Sequence, residues 1–143
     1  MFIMQLSVFL ENRLGRLKEV LAVLSKNKIN IRAMSLAEKS DYGMLRLIVQ
    51  ETEKAVEILK DENISVNLTP VIVAEVIDKP GGLLAIIEPL ESNSVNVEYI
   101  YAFVEKSGDK ALVVVRVEEP EKAATVLREE NIKLLEREDI ERI

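Results

Sequence analysis

The sequence predicts an α+β fold of two β-α-β-β-α-β modules joined head to tail, residues 1-69 and 70-143, and three observations predict it. The chain repeats itself. Each copy shows the same order of strand-like and helix-like hydrophobic periods. Its 143 residues suffice for two small modules but not for a catalytic domain with a separate regulator.

At an offset of 66 residues, NRLGRL at Asn12 to Leu17 meets KPGGL around Lys79 to Leu83, matching Gly15 with Gly81 and Leu17 with Leu83. The same offset lays NKINI, Asn27 to Ile31, over NSVNV, Asn93 to Val97. Two residues inserted near Ser107 to Lys110 then shift the offset to 68, so that Glu51, Lys54, Ala55, Leu59 and Asn63 meet Glu119, Lys122, Ala123, Leu127 and Asn131. Several blocks in one order imply duplication, and the insertion falls where a hairpin turn is expected.

In the first copy, Ile3 to Leu10 is rich in β-formers and reads as a strand. Leu14, Leu17, Val20, Leu21 and Leu24 follow at helical spacing. Asn30 to Lys39 is extended, and Ser40 to Gly43 carries turn residues. In Met44 to Gln50 the residues Leu45, Leu47 and Val49 alternate with others, the period of a strand. Thr52 to Glu62 reads as a short helix presenting Ala55, Ile58 and Leu59, and a last strand begins near Ile64.

In the second copy, Val71 to Ile77 is the first strand and Gly82 to Asn93 the helix. Pro89 lies well inside that helix, where it removes a hydrogen bond and crowds the preceding turn at a cost of roughly 3 kcal/mol, so a kink or an early end is expected. Val95 to Glu105 and Ala111 to Val117 flank a turn containing Ser107, Gly108 and Asp109. Pro120 suits a first helical turn, because its missing N–H would be unpaired there anyway. Ala123, Ala124, Val126 and Leu127 supply the apolar stripe, Ile132 to Leu135 the last strand, and Glu136 to Ile143 either an extra helical turn or a frayed tail.

This order is the split β-α-β, or ferredoxin-like, arrangement: an antiparallel sheet with both helices on one face. Both alternating sets along Asn30 to Lys39 and along Val95 to Glu105 contain apolar residues, so both sheet faces should be at least partly buried, between modules or between chains. A homodimer is expected on that ground. The link from Leu68 to Val71 is short enough for the last strand of one copy to run almost directly into the first strand of the next.

Composition removes several function classes. A formal charge of -6, without a basic block, gives nucleic acid no broad attraction. With no Cys and no His, thiolate and imidazole chemistry and their metal sites are excluded. No stretch is long enough to cross a bilayer as a helix and the opening apolar run reads as a strand, so the expected location is the cytoplasm. The pairs Glu118-Glu119, Glu129-Glu130 and Glu138-Asp139 point in different directions on a helix and read as solvated surface. The best catalytic materials, Asp41 with Tyr42 and the pair Tyr99 and Tyr101, have no basic partner at useful spacing; the tyrosines read as core or interface aromatics.

The residues that stand out lie between the first strand and helix and at the start of the second strand. Gly15 permits a tight turn and close approach of a guest, and the first N–H groups of the following helix have no intrahelical partner, so a carboxylate suits them. Asn12 sits beside this turn, and Asn30 is expected near it; each amide offers a donor and an acceptor to a free amino acid. The plainer readings are a helix cap for Asn12, a simple turn for Gly15 and a local turn for Asn30. Asp78, Gly81 and Asn96 occupy the equivalent places; Asp78 repels a carboxylate but attracts an ammonium.

Asn12-Arg13-Leu14-Gly15 followed by Ile29-Asn30-Ile31, and Asp78-Lys79-Pro80-Gly81 followed by Val95-Asn96-Val97, resemble the two halves of a tandem ACT-domain protein across nearly the whole chain. The resemblance implies binding of a free amino acid or related small metabolite between paired modules, no catalysis and no cofactor, and relay of occupancy to a regulated enzyme or regulator. It places the family's Asn-x-Pro-Gly turn on Asn12 to Gly15 and its second-strand asparagine on Asn30; both asparagines contact the effector in serine-sensing members. The ligand-binding residues so implied are Asn12, Arg13, Leu14, Gly15, Asn30 and Ile31, with Asp78, Pro80, Gly81, Asn96 and Val97 in the second copy. Leu14 replaces the family's proline and Leu10 a ligand-contacting histidine, so serine is not carried over. The alternative is an adaptor that holds no ligand and acts through protein contacts.

Overall fold

The computed structural model describes residues 2–104 and 108–143. Ser107 of the second hairpin turn and the Glu105 end of its preceding strand lie outside them. The chain divides into two compact units, one of Met4–Thr69 with Ile143, here the first module, and one of Met1–Ile3 with Pro70–Arg142, the second.

In the first module, β1 (Ile3–Glu11) leads to α1 (Arg16–Lys26), β2 (Ile31–Lys39), β3 (Tyr42–Val49), α2 (Thr52–Asp61) and the opening of β4 (Val66–Ile77). The strands lie in the order β2-β3-β1-β4, with β3 antiparallel to both of its neighbours. Alternation sorts the side chains: Leu6, Val8 and Leu10 of β1 and Leu45, Leu47 and Val49 of β3 face the helices and form one buried cluster with Val20, Leu24, Ala55 and Leu59. The spacing that predicts α1 is realised from Arg16 onward. Leu14 stands outside the helix, fully exposed.

β4 is one strand from Val66 to Ile77, so the last strand of the first module runs on directly as the first strand of the second. The second module continues with α3 (Leu84–Ser92), β5 (Val97–Ala102), β6 (Lys110–Val117), α4 (Pro120–Glu129) and α5 (Arg137–Arg142), with strand order β4-β6-β5. Ile72, Ala74, Val76, Val113, Val115 and Val117 form its helix-side core with Ile86, Leu90, Ala123 and Leu127.

Two expectations are corrected here. Ile132 to Leu135 forms no full strand: one bridge pairs Leu134 with Ala74, held by Glu75 N–H to Lys133 O at 2.9 Å and Leu135 N–H to Val73 O at 2.8 Å. The chain leaves the sheet for α5, whose start is closed by the Asp139 carboxylate accepting from the Glu136 N–H at 2.7 Å. Of the kink or early end expected at Pro89, the early end does not occur: the helix continues to Ser92 and the Pro89 carbonyl accepts from the Asn93 side chain at 2.8 Å.

The duplication extends to the backbone. Lys28 and Ser94 share a positive φ of 58° and 59°, Asn63 and Asn131 both have 60°, and each second strand carries an irregularity at the same place, between Ile31 and Ala33 and between Val97 and Tyr99. On the face away from the helices, Gln5, Ala33 and Ile48 in the first module and Val71, Val73 and Val114 in the second are also buried.

Candidate functional site

Each module turns from its first strand into its first helix by the same construction. The Asn12 N–H donates to the Asp41 carbonyl at 3.0 Å and the Asp78 N–H to the Asp109 carbonyl at 2.7 Å, so each turn is tied to the tip of the β-hairpin of its module. Gly15 follows with φ 89° and Gly81 with φ 88°; no atom lies within 4 Å of where a Cβ would sit at either. Glycine is required there by backbone conformation rather than by space. Each glycine's carbonyl then accepts from the helix it opens, from Glu19 N–H at 3.0 Å and from Ala85 N–H at 3.1 Å.

In the first module Asn12 is not a helix cap. Gly15 holds that position, and the Asn12 amide donates instead to Glu38 Oε1 at 3.1 Å and the Ser40 carbonyl at 3.3 Å. Asn12, Arg13 and Glu38 line a cleft of about 170 Å³ whose apolar wall is Leu10, Leu17 and Leu36. Glu38 was not among the residues the sequence pointed to; its only signal is that β2 returns beside β1 one strand away.

Asn30 is elsewhere. The strand register pairs Lys39 with Tyr42 and Tyr42 with Glu11, which sets Asn12 at that end of the sheet, whereas Ile31 pairs with Val49 at the opposite end. At a rise of about 3.3 Å per residue, the nine residues of β2 put Asn30 roughly 25 Å from the turn. The expected nearness fails because α1 carries the chain back along the whole sheet before β2 begins. Asn96 and Val97 stand likewise at the start of β5, Val97 pairing with Val117, at the end of the second sheet remote from Asp78 and the Lys110 end of β6.

The charges around the two turns differ. Arg16 reaches Glu19 at 2.8 Å and Arg13 approaches it at 3.7 Å while also pairing with Glu11 at 3.2 Å. The hydrogen bond from Arg16 holds the exposed Glu19 carboxyl below its ordinary 4.5, with the charges of Arg13 and Arg16 adding to it. In the second module Gly82 and Ala85 replace Arg16 and Glu19. Gly82 is buried, and a Cβ there would lie 1.8 Å from the Ile77 carbonyl oxygen, so close backbone approach is what it provides. Beside it opens a cleft of about 550 Å³, lined by Lys79, Pro80, Gly81 and Gly82 from the turn and by Lys110, Lys133 and Glu75.

The tyrosines considered for catalysis lie in aromatic pairs. Tyr42 stacks on Phe9 with centroids 4.8 Å apart and Tyr99 on Tyr101 at 6.4 Å. No helix among the described residues is long and apolar enough to cross a membrane.

The chain matches the ACT domain pair family over residues 1–143. Among solved structures it resembles protein BT0572 from Bacteroides thetaiotaomicron, with 38% identity, 100% of this chain and 98% of that one covered and a TM-score of 0.92. It shares its fold with the regulatory subunits of aspartate kinase from Thermus thermophilus and Thermus flavus. Each is 16% identical, with coverage of 89% and 91% and a TM-score of 0.65 for the first, and 90% and 90% and 0.62 for the second. No curated protein matches it in sequence. A family match over every residue, on two ferredoxin-like modules whose turns repeat hydrogen bond for hydrogen bond, establishes that the chain belongs to the ACT domain pair family: it is a tandem ACT-domain regulatory protein, of a family of non-catalytic modules known for small-molecule and amino-acid sensing.

Proposed function

We propose that this protein binds a free amino acid in the first-module cleft and relays its occupancy to a metabolic enzyme or regulator. The observation that carries the reading is the composition of that cleft. Glu38 offers a carboxylate to an ammonium, Arg13 a guanidinium to a carboxylate and Asn12 an amide to either, against an apolar wall of three leucines, in about 170 Å³. These are the groups that recognise the constant part of an amino acid and leave a modest apolar space for its side chain.

Asn30 belongs to this site only if a second module supplies it, because its own sheet holds it roughly 25 Å away. A homodimer is the arrangement that follows from including it. The adaptor reading keeps one observation in its favour: Glu19 and Glu11 already engage Arg13, so a ligand carboxylate must displace them.

The test is a thermal-shift screen of the full chain against the twenty amino acids, followed by calorimetry. The expected result is that one amino acid, or a small group of similar ones, raises the melting temperature by linkage and that Glu38→Gln removes the effect. No shift with any of them, together with a reproducible protein partner, would leave the adaptor standing instead.

A further inference from the structure

We propose that Arg32 and Gln50 form a latch for the main chain at Ile143, a conformational device at the head of β2 that the amino-acid reading does not use.

The latch begins with a break in strand register. β2 pairs Ile31 with Val49 and Ala33 with Ile48, so Arg32 is the extra residue of a bulge. A bulge re-aims the side chain it carries, out of the ordinary alternation of the strand. Gln50 follows directly on Val49, the last residue of β3 and the partner of Ile31, so both side chains start from the same end of the sheet. They donate to one acceptor: Arg32 through Nη2 and Gln50 through Nε2, each to the main-chain oxygen of Ile143. Ile143 groups with the first module, unlike the helix α5 that leads to it.

The second module shows the same bulge put to another use. Its register shifts between Val97 and Tyr99, and at the offset of 66 Glu98 stands where Arg32 does. At the offset of 68 Glu118 stands in place of Gln50 and Arg116 in place of Ile48. Glu98 accepts from Arg116 Nε at 3.1 Å, so the charge on this bulge is answered by the next strand of its own sheet. In the first module the residue at the place of Arg116 is the buried, apolar Ile48. Two carboxylates in one copy would repel a main-chain oxygen, and two donors in the other hold one.

Arg32, Gln50 and Ile143 are all half-buried, where competition from water weakens a hydrogen bond less. The bond from the guanidinium is charge-assisted and the stronger of the two. α5 has six residues, too few to be stable as an isolated helix. Its order rests on the Asp139 carboxylate at its start, on the buried Ile140 and on the latch at the residue that follows it. Opening of so short a segment is a local event, well below the free energy of global unfolding. Once open, the latch presents the same two donors to another acceptor, a carboxylate or main-chain oxygen of a partner, so that contact at the head of β2 is linked to order in the segment leading to Ile143.

The experiment is backbone amide hydrogen exchange in the full chain without ligand, read residue by residue by NMR, with the carbonyl carbon shift of Ile143 followed in the same samples. Exchange from Ile140 to Ile143 is expected to be about tenfold faster in Arg32→Gln and about fivefold faster in Gln50→Ala, and the Ile143 carbonyl shift to move in both. Arg32→Lys, which keeps a cationic donor, should retain most of the protection. Lys60→Gln, at an exposed cation on α2 of the same module, should change neither readout, and the amides of α2 should keep their protection in every variant. The proposal is overturned if Arg32→Gln and Gln50→Ala leave exchange and shift at their wild-type values. It is equally overturned if they speed exchange as much in α1 and α2 as from Ile140 to Ile143, the mark of residues needed only for the module to fold. If Arg32→Gln fails to fold, Gln50→Ala carries both readouts, since Gln50 lies beyond the end of β3. No ligand enters any step, so failure here leaves the amino-acid reading as it stood.

Discussion

Asn12 Nδ2 donates to Glu38 Oε1 at 3.1 Å, which holds together the end of β1 and the end of β2 across the strand between them. The hydrogen bond ties together two side chains that line one cleft, so under the proposed function an incoming ammonium would meet a carboxylate already held in place. Preorganisation of this kind reduces the ordering that binding would otherwise require.

Asn30 tests whether a second module completes the site. The side chain is exposed at the head of β2, so Asn30→Ala should change the folding free energy by no more than about 0.5 kcal/mol. If a second module brings it to the ligand, amino-acid affinity should fall roughly tenfold, the worth of one hydrogen bond to a charged group. Calorimetry beside urea melts separates the two effects, and sedimentation should show a dimer at micromolar protein. Unchanged affinity would confine the site to Asn12, Arg13 and Glu38.

The glycines of the second turn should fail in different ways. Gly81→Ala meets no neighbouring atom and suffers only from its positive φ, a cost of about 1 kcal/mol. Gly82→Ala drives a methyl group into the Ile77 carbonyl and must displace backbone, so its loss should be larger, on the order of 3 kcal/mol. Denaturant melts of the two variants should rank them in that order, and Gly15→Ala should match Gly81→Ala.

Glu19 predicts a small acid-limb effect. Its folded-state titration is depressed below 4.5, so the stabilisation it gives is complete above that value and is lost as the pH falls through the depressed one. The advantage of the wild type over Glu19→Gln should therefore be present at about pH 6 and shrink below about pH 4. Because the pair is exposed, added salt should reduce it as well. Thermal melts at several pH values check both trends.

Much of the fold was legible in the chain because duplication writes each signal twice. The offset of 66 that matched Gly15 to Gly81 also matched the positive-φ residues Lys28 and Ser94, and the offset of 68 after the second hairpin matched Asn63 to Asn131. The stretch from Ile132 to Leu135 read as a strand because its composition suits one, yet only Leu134 bridges to β4 before the chain departs into α5. Pro89 read as a kink or an early helix end; the helix does not end there, and Ile86 and Leu90 are buried on either side of it, an instance of packing overriding local preference.

The candidate site was half legible. Asn12 and Arg13, which line the first cleft, and Pro80 and Gly81, which line the second, stood out in the sequence because a turn declares itself locally, through glycine and proline. Glu38, Lys110 and Lys133 were not, since each reaches its cleft from a distant part of the chain.

By itself the sequence determined the two modules, the order of their elements and the two glycine turns, because periodicity and backbone conformation are properties of neighbouring residues. Only the tertiary structure decided that Asn12 and Asn30 stand at opposite ends of one sheet and that three lysines share one cleft. Those are matters of strand register and of which segments return beside one another, set by burying two helices on the sheet and carried by no local stretch of chain.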